Sequence, residues 1–407
     1  MPRTSVAIVG AGLAGLTLGA ALDRAGVDFQ LYEQAPRLTE VGAGVQLAPN
    51  ATRLLHRLGL GKGLRAAAVM PQAIEMRRWD DGAPLHRTPL GDACLSRFGA
   101  PYYTVHRADL HSCLLSMVPT GRVRLGVRCV AVTQTADAAR LELSDGTTVE
   151  ADLVVGADGI HSVVREHLVR DHPRYSRQVI YRGLVPAARV PHLLAEPRVL
   201  LWFGPDQHCV CYPVSAGRQV SFGATVRVPH RHGESWSAQG SVRDLAAAYT
   251  GWHEDVTRLI HAADAVGRWA LHDRDALQRL SVGRVAVAGD AAHPMLPFRA
   301  QGANQAIEDA VTLARCLTDS GAAAGDGAAL SAALRRYEGI RLPRTSRIQQ
   351  ESRDNVRVFH LPDGAEQRHR DAAAATSSGL ESNDWLFGYD ADADAAAAPV
   401  AAAREPG

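Results

Sequence analysis

Gly10-x-Gly12-x-x-Gly15 follows directly on the apolar run Val6-Ala7-Ile8-Val9, and the acid Glu33 closes the next run, Phe29-Gln30-Leu31-Tyr32. Glycines at that spacing, with an acid about 20 residues further on, are the fingerprint of an adenine-dinucleotide site. Gly10 permits a tight turn, Gly12 lets the backbone approach a pyrophosphate, and Gly15 lets the next helix lie close to the strand. That helix offers free N–H groups and a partial positive charge to phosphates. Glu33 can accept hydrogen bonds from ribose hydroxyls. A purely structural glycine loop is the alternative, and the motif alone does not separate NAD from FAD.

Two further stretches repeat the strand-then-glycine grammar, Gly156-Ala157-Asp158-Gly159 and Gly289-Asp290-Ala291-Ala292-His293-Pro294. In a doubly wound sheet a strand end meeting a helix start is where ligands bind. Gln301-Gly302-Ala303 opens a long helix whose N-terminus can face an anion or a carbonyl. Arg107 precedes another helix and either points at a phosphate or flavin ring or pairs with Asp109 on the surface. His208-Cys209-Val210-Cys211-Tyr212 has a period of two, which puts His208, Val210 and Tyr212 on one face of a strand. On residue type alone His208 reads as a satisfied sheet histidine and Tyr212 as half-buried packing.

These residues must be positioned by a Rossmann-like α/β unit. Val6–Val9, the helix from Leu16 to Gly26 and Phe29–Tyr32 form a βαβ unit. Asn50 is expected to cap a helix 51–58 that Gly59 ends. Short strands are expected near 123–125, 131–134 and 139–143, with Ser144-Asp145-Gly146 as a hairpin turn. A buried strand then leads into Gly156, and a helix is expected to begin near His161-Ser162. Residues 73–88 and 180–230 are strand-like and irregular, so a second, β-sheet domain is inserted into the first. Helices are expected over 242–250, from Gln301 towards Cys316, and over 329–351. The expected division is a dinucleotide-binding unit from 1–72, 101–178 and 274–360, the last with C-terminal helices. A substrate domain comes from 73–100 and 179–273. Residues 361–407 are an Ala- and Asp-rich tail, expected to be mobile apart from the aromatic anchor Trp385-Leu386-Phe387-Gly388-Tyr389.

Bulk properties narrow the class. At 407 residues two domains is the natural prior, and 44 basic against 43 acidic residues leave no global field for nucleic acid or an anionic membrane. No signal peptide and no apolar run long enough to span a membrane are expected. The six cysteines form no C-x-x-C pair and no zinc spacing, so no metal is expected and free thiols in a reducing cytoplasm are.

The three glycine motifs, in this order, resemble the single-component FAD-dependent aromatic hydroxylases, the group of salicylate, 3-hydroxybenzoate and 6-hydroxynicotinate monooxygenases. The resemblance covers about residues 5–345. It implies a glutathione-reductase-type FAD domain with an inserted substrate sheet. It also implies non-covalent FAD, NADH or NADPH as co-substrate without a second fingerprint, and O2 activation through a flavin C4a-hydroperoxide. A homodimer is an allowed assembly. Carried over residue by residue, Gly10, Gly12, Ala14, Gly15, Glu33 and Gln34 hold the ADP half. Cys129 makes a backbone contact near the adenine. Arg107 lies on the flavin side, and Asp158 belongs to a motif that touches both cofactors. Asp290 binds the ribityl or pyrophosphate region, and Gly302 and Ala303 place N–H groups at the flavin pyrimidine edge.

The resemblance further implies that His208, Tyr212 and Gln301 contact a small phenolic acid, with His208 relaying its proton and Tyr212 in the same chain. Gln46, Tyr181, Pro294, Pro297 and Phe298 are the expected pocket wall. Trp385–Asp390 and Pro89–Asp92 look most like the 6-hydroxynicotinate branch. Gln46 and Phe298, however, stand where those enzymes carry histidines, which favours a hydroxybenzoate or aminohydroxybenzoate. Arg299 either meets a substrate carboxylate or is a solvated surface arginine. The competing readings are an FAD monooxygenase of a heterocycle or polyene, and a non-catalytic dinucleotide-binding protein.

Overall fold

The computed structural model describes residues 3–38, 43–229, 239–321, 326–377 and 379–398. Two eight-stranded sheets organise it. The first has a parallel core in the order Val285–Val287, Thr148–Gly156, Arg3–Val9, Phe29–Glu33, Val123–Leu125. Val6 pairs with Leu153 and Phe29, and Ile8 with Val155 and Leu31, so these runs are buried on both faces and read as unbroken apolar sequence. The strands Cys129–Gln134 and Ala139–Leu143 continue antiparallel from Thr148–Gly156. Helices Leu13–Arg24 and Gly302–Asp319 pack on each other beside the sheet.

The second sheet runs Gln239–Gly240, Val266–Asp273, Arg174–Pro186, Gln219–Arg227, Gln207–Val214, Arg198–Gly204, Ala73–Arg78, Pro84–Pro89. One face carries a core of Trp202, Cys209, Cys211 and Phe222 against Tyr249, Val256 and Leu259 of helices Val242–Ala248 and Glu254–His261 and their junction. The period of two sends His208, Val210 and Tyr212 to the other face, towards the first unit. A small sheet of Gly44–Leu47 and Tyr103–His106 joins the two units: Gly44 N donates to Ser221 Oγ, and Thr104 Oγ1 donates to the Pro213 carbonyl at 2.6 Å.

Three local expectations change. Asn50 is not a cap: the helix is Pro49–Leu58, and Asn50 lies buried inside it, donating to Glu308 Oε1 at 2.6 Å. A carboxylate from a distant helix binds the amide more strongly than the local backbone would. His161-Ser162 opens only a turn and a 3-10 helix, Arg165–His167, because Arg165 turns inward to other partners. The last long helix extends to Gly327–Phe359.

The Ala-rich tail is largely structured. Helices Ala365–Ala375, Asp384–Phe387 and Ala391–Ala397 dock on the body, while residues 399–407 lie outside the described residues. Arg53 donates to the carbonyls of Phe98, Phe387, Gly388 and Tyr389, and Arg57 grips Asp390 with both terminal nitrogens at 2.8 and 2.6 Å. Leu386 and Phe387 are buried with Leu90, Cys94, Tyr102 and Ile348. Low-complexity composition hides this docking because the arginines that enforce it sit elsewhere in the chain.

Candidate functional site

The three glycine turns meet at the carboxyl ends of the parallel strands. Gly10 has φ +101°, and a Cβ there would lie 2.4 Å from the Ala157 carbonyl oxygen, so only glycine lets the first turn touch the second. A Cβ on Gly15 would lie 1.9 Å from the Gly10 carbonyl, and one on Gly289 2.9 Å from the Ala14 methyl. Gly12, by contrast, faces open space at the start of its helix. Arg165, buried and ion-paired to Asp171, donates to the carbonyls of Ala291 and Ala292 at 3.0 and 2.7 Å, tying the second motif to the third.

The expected cofactor residues line up along this junction. Glu33 receives the N–H groups of Ala11 and Ala35, both at 2.8 Å, with exposed Gln34 beside it. Buried Cys129 lies close enough to Asp158 to feel its charge, and burial pushes its thiol up to about 12. Asp158 Oδ2 accepts from the Val163 N–H at 2.9 Å, while Oδ1 is buried with no hydrogen-bond partner in the protein. Burial raises the Asp158 pKa, against the hydrogen bonds from Ser162 and the backbone. Asp290 is open to solvent yet hemmed in by protein. The enclosure pushes its pKa up, and His293 and Arg107 pull it down. Gly302 and Ala303 are half-buried at the N-terminus of the helix, next to Asp290. Arg107 therefore lies within electrostatic reach of Asp290 and of Arg182, while Asp109 accepts from Ser215 Oγ.

Beneath the third motif sits a buried ionic cluster that sequence reasoning missed. Arg341 reaches Asp309 Oδ1 at 2.7 Å, Glu308 Oε2 at 2.5 Å and Gln305 Oε1 at 2.7 Å. Arg344 takes both oxygens of Glu308. Asp309 Oδ2 in turn receives the Gly289 N–H at 2.8 Å and pairs with His293 Nε2 at 2.5 Å. Burial alone would raise both carboxyl pKa values. Arg341 with Arg344 holds Glu308 below the usual carboxylate range, and His293 with Arg341 does so for Asp309. The cluster fixes the turn that presents Asp290.

Next to the junction is a cavity of about 480 Å³ between the second sheet, the segment Pro297–Gln301 and the C-terminal helices. His208, Gln301, Gln46, Pro297 and Phe298 line it, as does Arg299. Gln301 is held from the protein side, its Oε1 accepting from Asn50 and Gln305 at 3.1 Å. Tyr102, not foreseen, donates to Gln46 Oε1 at 2.7 Å. Burial pushes the Tyr212 phenol up to about 12, and it too bonds to Gln46.

Three expected pocket features are corrected. Tyr181 points to the opposite face of its strand, into the core under the paired helices, and Ile180 and Arg182 take the site side. One position of misregister along a strand exchanges the faces. Pro294 is buried away from the cavity, its carbonyl accepting from Gln349 Nε2 at 3.0 Å. Tyr212 is not in one chain with His208. Four residues of strand separate them by about 13 Å. Tyr212 lies under Gly44, whose missing Cβ would sit 2.4 Å from its ring. The His208 partner is His360, at the end of the long helix, with Nδ1···Nε2 at 2.8 Å. Burial and His360 push the His208 pKa well down, and burial brings His360 to about 4.

Residues 3–352 match the FAD binding domain family. The chain belongs to that family. It is 49% identical over 389 residues to a 3-amino-4-hydroxybenzoate 2-monooxygenase of Streptomyces platensis, spanning 96% of this chain and 97% of that protein. A 6-hydroxynicotinate 3-monooxygenase of Bordetella bronchiseptica is 37% identical, over 96% and 97%. The fold superposes on Klebsiella pneumoniae HpxO complexed with FAD and uric acid with a TM-score of 0.82 at 27% identity, covering 94% of this chain and 96% of that one. The expected class, an FAD-dependent monooxygenase with a glutathione-reductase-type fold, holds. The junction fits the cofactor: a glycine facing open space at a helix N-terminus, an unpartnered buried carboxylate oxygen and an open Asp290 converge there. Among the described residues no helix is long and apolar enough to cross a membrane.

Proposed function

We propose that this protein hydroxylates a 3-amino-4-hydroxybenzoate-type aromatic acid on its ring, consuming NAD(P)H and O2. The observation that carries this reading is the cavity: about 480 Å³, walled by apolar side chains, with a histidine and amides near the glycine-turn junction and two arginines, Arg299 and Arg370, in its wall. The relative at 49% identity supports the substrate class. FAD held at the junction would supply the redox chemistry, with NAD(P)H as the electron donor and O2 as the source of the added oxygen, its other atom leaving as water.

The chain supplies position and dryness. Gly10, Gly12, Ala14, Gly15, Glu33, Gln34 and Cys129 hold the ADP half, and Arg107, Asp158, Asp290, Gly302 and Ala303 hold the flavin half. The unit formed by 1–72, 101–178 and 274–360 carries the cofactor, and that formed by 73–100 and 179–273 carries the substrate wall. The two sheets support this division.

Arg299 binds the substrate carboxylate. Its Nε meets Glu351 at 3.2 Å and its Nη2 meets Asn383 at 3.4 Å, so Nη1 is uncommitted among the described residues. His208 and Gln301 meet the phenolic end, and Gln46, bridged to Tyr102 and Tyr212, sets the ring's tilt. Pro297, Phe298 and Phe359 exclude water that would divert the oxygen to peroxide. The free, mostly buried cysteines and the need for NAD(P)H support a cytoplasmic setting.

The test is direct. Purified protein is expected to be yellow and to oxidise NAD(P)H faster with 3-amino-4-hydroxybenzoate, giving a product one oxygen atom heavier by mass spectrometry. A yellow protein whose NAD(P)H oxidation no aminohydroxybenzoate stimulates would sink the substrate assignment.

A further inference from the structure

His208 does not stand alone against the cavity. Its Nδ1 lies 2.8 Å from His360 Nε2, and the two rings stack at 5.0 Å with 23° between their planes. On the far side of His360, Nδ1 lies 3.5 Å from the side-chain amide nitrogen of buried Gln178. Phe298 and Phe359 meet the His208 ring edge to face and fix its plane. With Nδ1 engaged, Nε2 is the His208 nitrogen left for whatever enters the cavity.

Two neutral imidazoles joined by one hydrogen bond must share one proton between the facing nitrogens, and which ring donates sets the tautomer of both. The Gln178 side-chain nitrogen is the amide atom turned towards His360 Nδ1, at 3.5 Å, and its Oε1 is left without a partner among the described residues. Taken as the donor there, the nitrogen makes Nδ1 an acceptor and puts the His360 proton on Nε2. His360 Nε2–H then donates to His208 Nδ1. His208 is thereby left with its proton on Nε2, aimed at the cavity. The Thr225 hydroxyl, 3.1 Å from the same Nδ1, directs its proton to the His208 carbonyl and does not oppose this order. The charged groups around the pair are few: Asp206 and Arg227 act on His360 and are ion-paired to each other at 2.8 Å, and His208 feels His360.

We propose that His360 is a positioning residue that locks His208 as the Nε2–H tautomer, so that the chain Gln178→His360→His208 donates a hydrogen bond to the phenolate oxygen of the bound acid. This rests on the hydroxylase reading above and deepens it. It changes the role of His208 from proton relay to donor. A phenolate is the electron-rich form that oxygen transfer requires, and a neutral donor stabilises it without placing a positive charge beside the ring. A charge-assisted bond of this kind is roughly twice as strong as a neutral one. Two rings that burial keeps uncharged suit a donor chain better than a proton store.

The experiment uses the FAD-loaded enzyme and 4-hydroxy-3-nitrobenzoate, whose phenolate absorbs where its phenol does not, read against ligand-free holoenzyme. The bound phenol is expected to ionise at lower pH in the wild type than free in solution. In H360F its pKa should rise by about one unit, a tenfold loss in the ionisation constant. In H360Q, whose amide can still donate to His208 Nδ1, it should return close to the wild-type value, whereas the shorter H360N should not restore it. With 3-amino-4-hydroxybenzoate, kcat should fall about 100-fold in H360F with KM little changed, the scale of a mispositioned catalytic imidazole. FAD content and Tm report whether each variant is folded, and H360Q against H360N decides the matter if H360F is not. Equal ionisation in wild type and H360F, or H360Q and H360N alike, would overturn the donor chain. A wild type that shifts the probe yet leaves aminohydroxybenzoates untouched would overturn the substrate assignment and leave the chain standing.

Discussion

Replacing Arg341 by Met removes the centre of the ionic cluster beneath the third glycine motif. Arg341, Glu308 and Asp309 have no exposed side-chain surface, so water cannot replace what the guanidinium supplies. Three bonds vanish, of 2.7 Å to Asp309, 2.5 Å to Glu308 and 2.7 Å to Gln305. Glu308 keeps Arg344 at 2.7 Å, so the loss concentrates on Asp309, left with His293 and the Gly289 N–H. Stranding a buried charge in this way costs about 3–5 kcal/mol. The penalty should depend on pH with a definite sign. In the wild type both carboxyls ionise below their ordinary range, so their stabilisation is full above the unfolded carboxylate pKa and lost as pH falls through the folded one. In R341M burial is no longer offset, the carboxyl of Asp309 rises, and protonation relieves the strain as pH falls. Urea unfolding at about pH 8 and about pH 5 should therefore show a large gap between wild type and variant that narrows on acidification. FAD retention should fall in parallel, because Asp309 holds the Gly289 turn. A gap below about 1 kcal/mol at the higher pH, or one that widens towards acid, would refute the reasoning.

Three other outcomes are expected. R299M should weaken binding of the aromatic acid by about 10- to 100-fold while leaving its carboxamide unaffected, as isothermal titration would show, because only the carboxylate makes a charge-assisted bond. Equal losses for acid and amide would mean that Arg299 merely shapes the cavity. G15A should abolish FAD binding even in excess cofactor, since its methyl would sit 1.9 Å from the Gly10 carbonyl; a yellow, stable G15A protein would contradict the packing. R53A should release the segment after Phe387 to limited proteolysis and raise the substrate KM, because four backbone carbonyls lose their donor and Leu386 and Phe387 line the cavity. Unchanged cleavage would show that burial of Leu386 and Phe387 holds the tail without it.

Much of the cofactor side was legible from the chain alone. Glycine spacing, an acid at the next strand end and unbroken apolar runs are local signals, and the turns they encode need only neighbouring residues. Period two along 208–212 likewise put His208 on the site face. Tyr181, which the resemblance put on the pocket wall, lies on the opposite face, because the register of its strand decides the face and the chain alone does not give it. Tyr212 was assigned to a chain it cannot reach, since face does not fix distance along the strand.

What the sequence by itself determined, then, is each strand–glycine–helix turn and the chemistry its backbone offers, because steric limits on φ and helix polarity act within a few residues. Only the tertiary structure decided that Ala157 would close on Gly10 and that Arg165 would tie the second turn to the third. It alone placed Arg341 under Asp309 and ended a 33-residue helix with His360 against His208. Those pairs are formed by residues far apart in the chain. Buried charges and imidazoles choose partners by proximity in a water-poor interior, and nothing in the local sequence of either partner names the other.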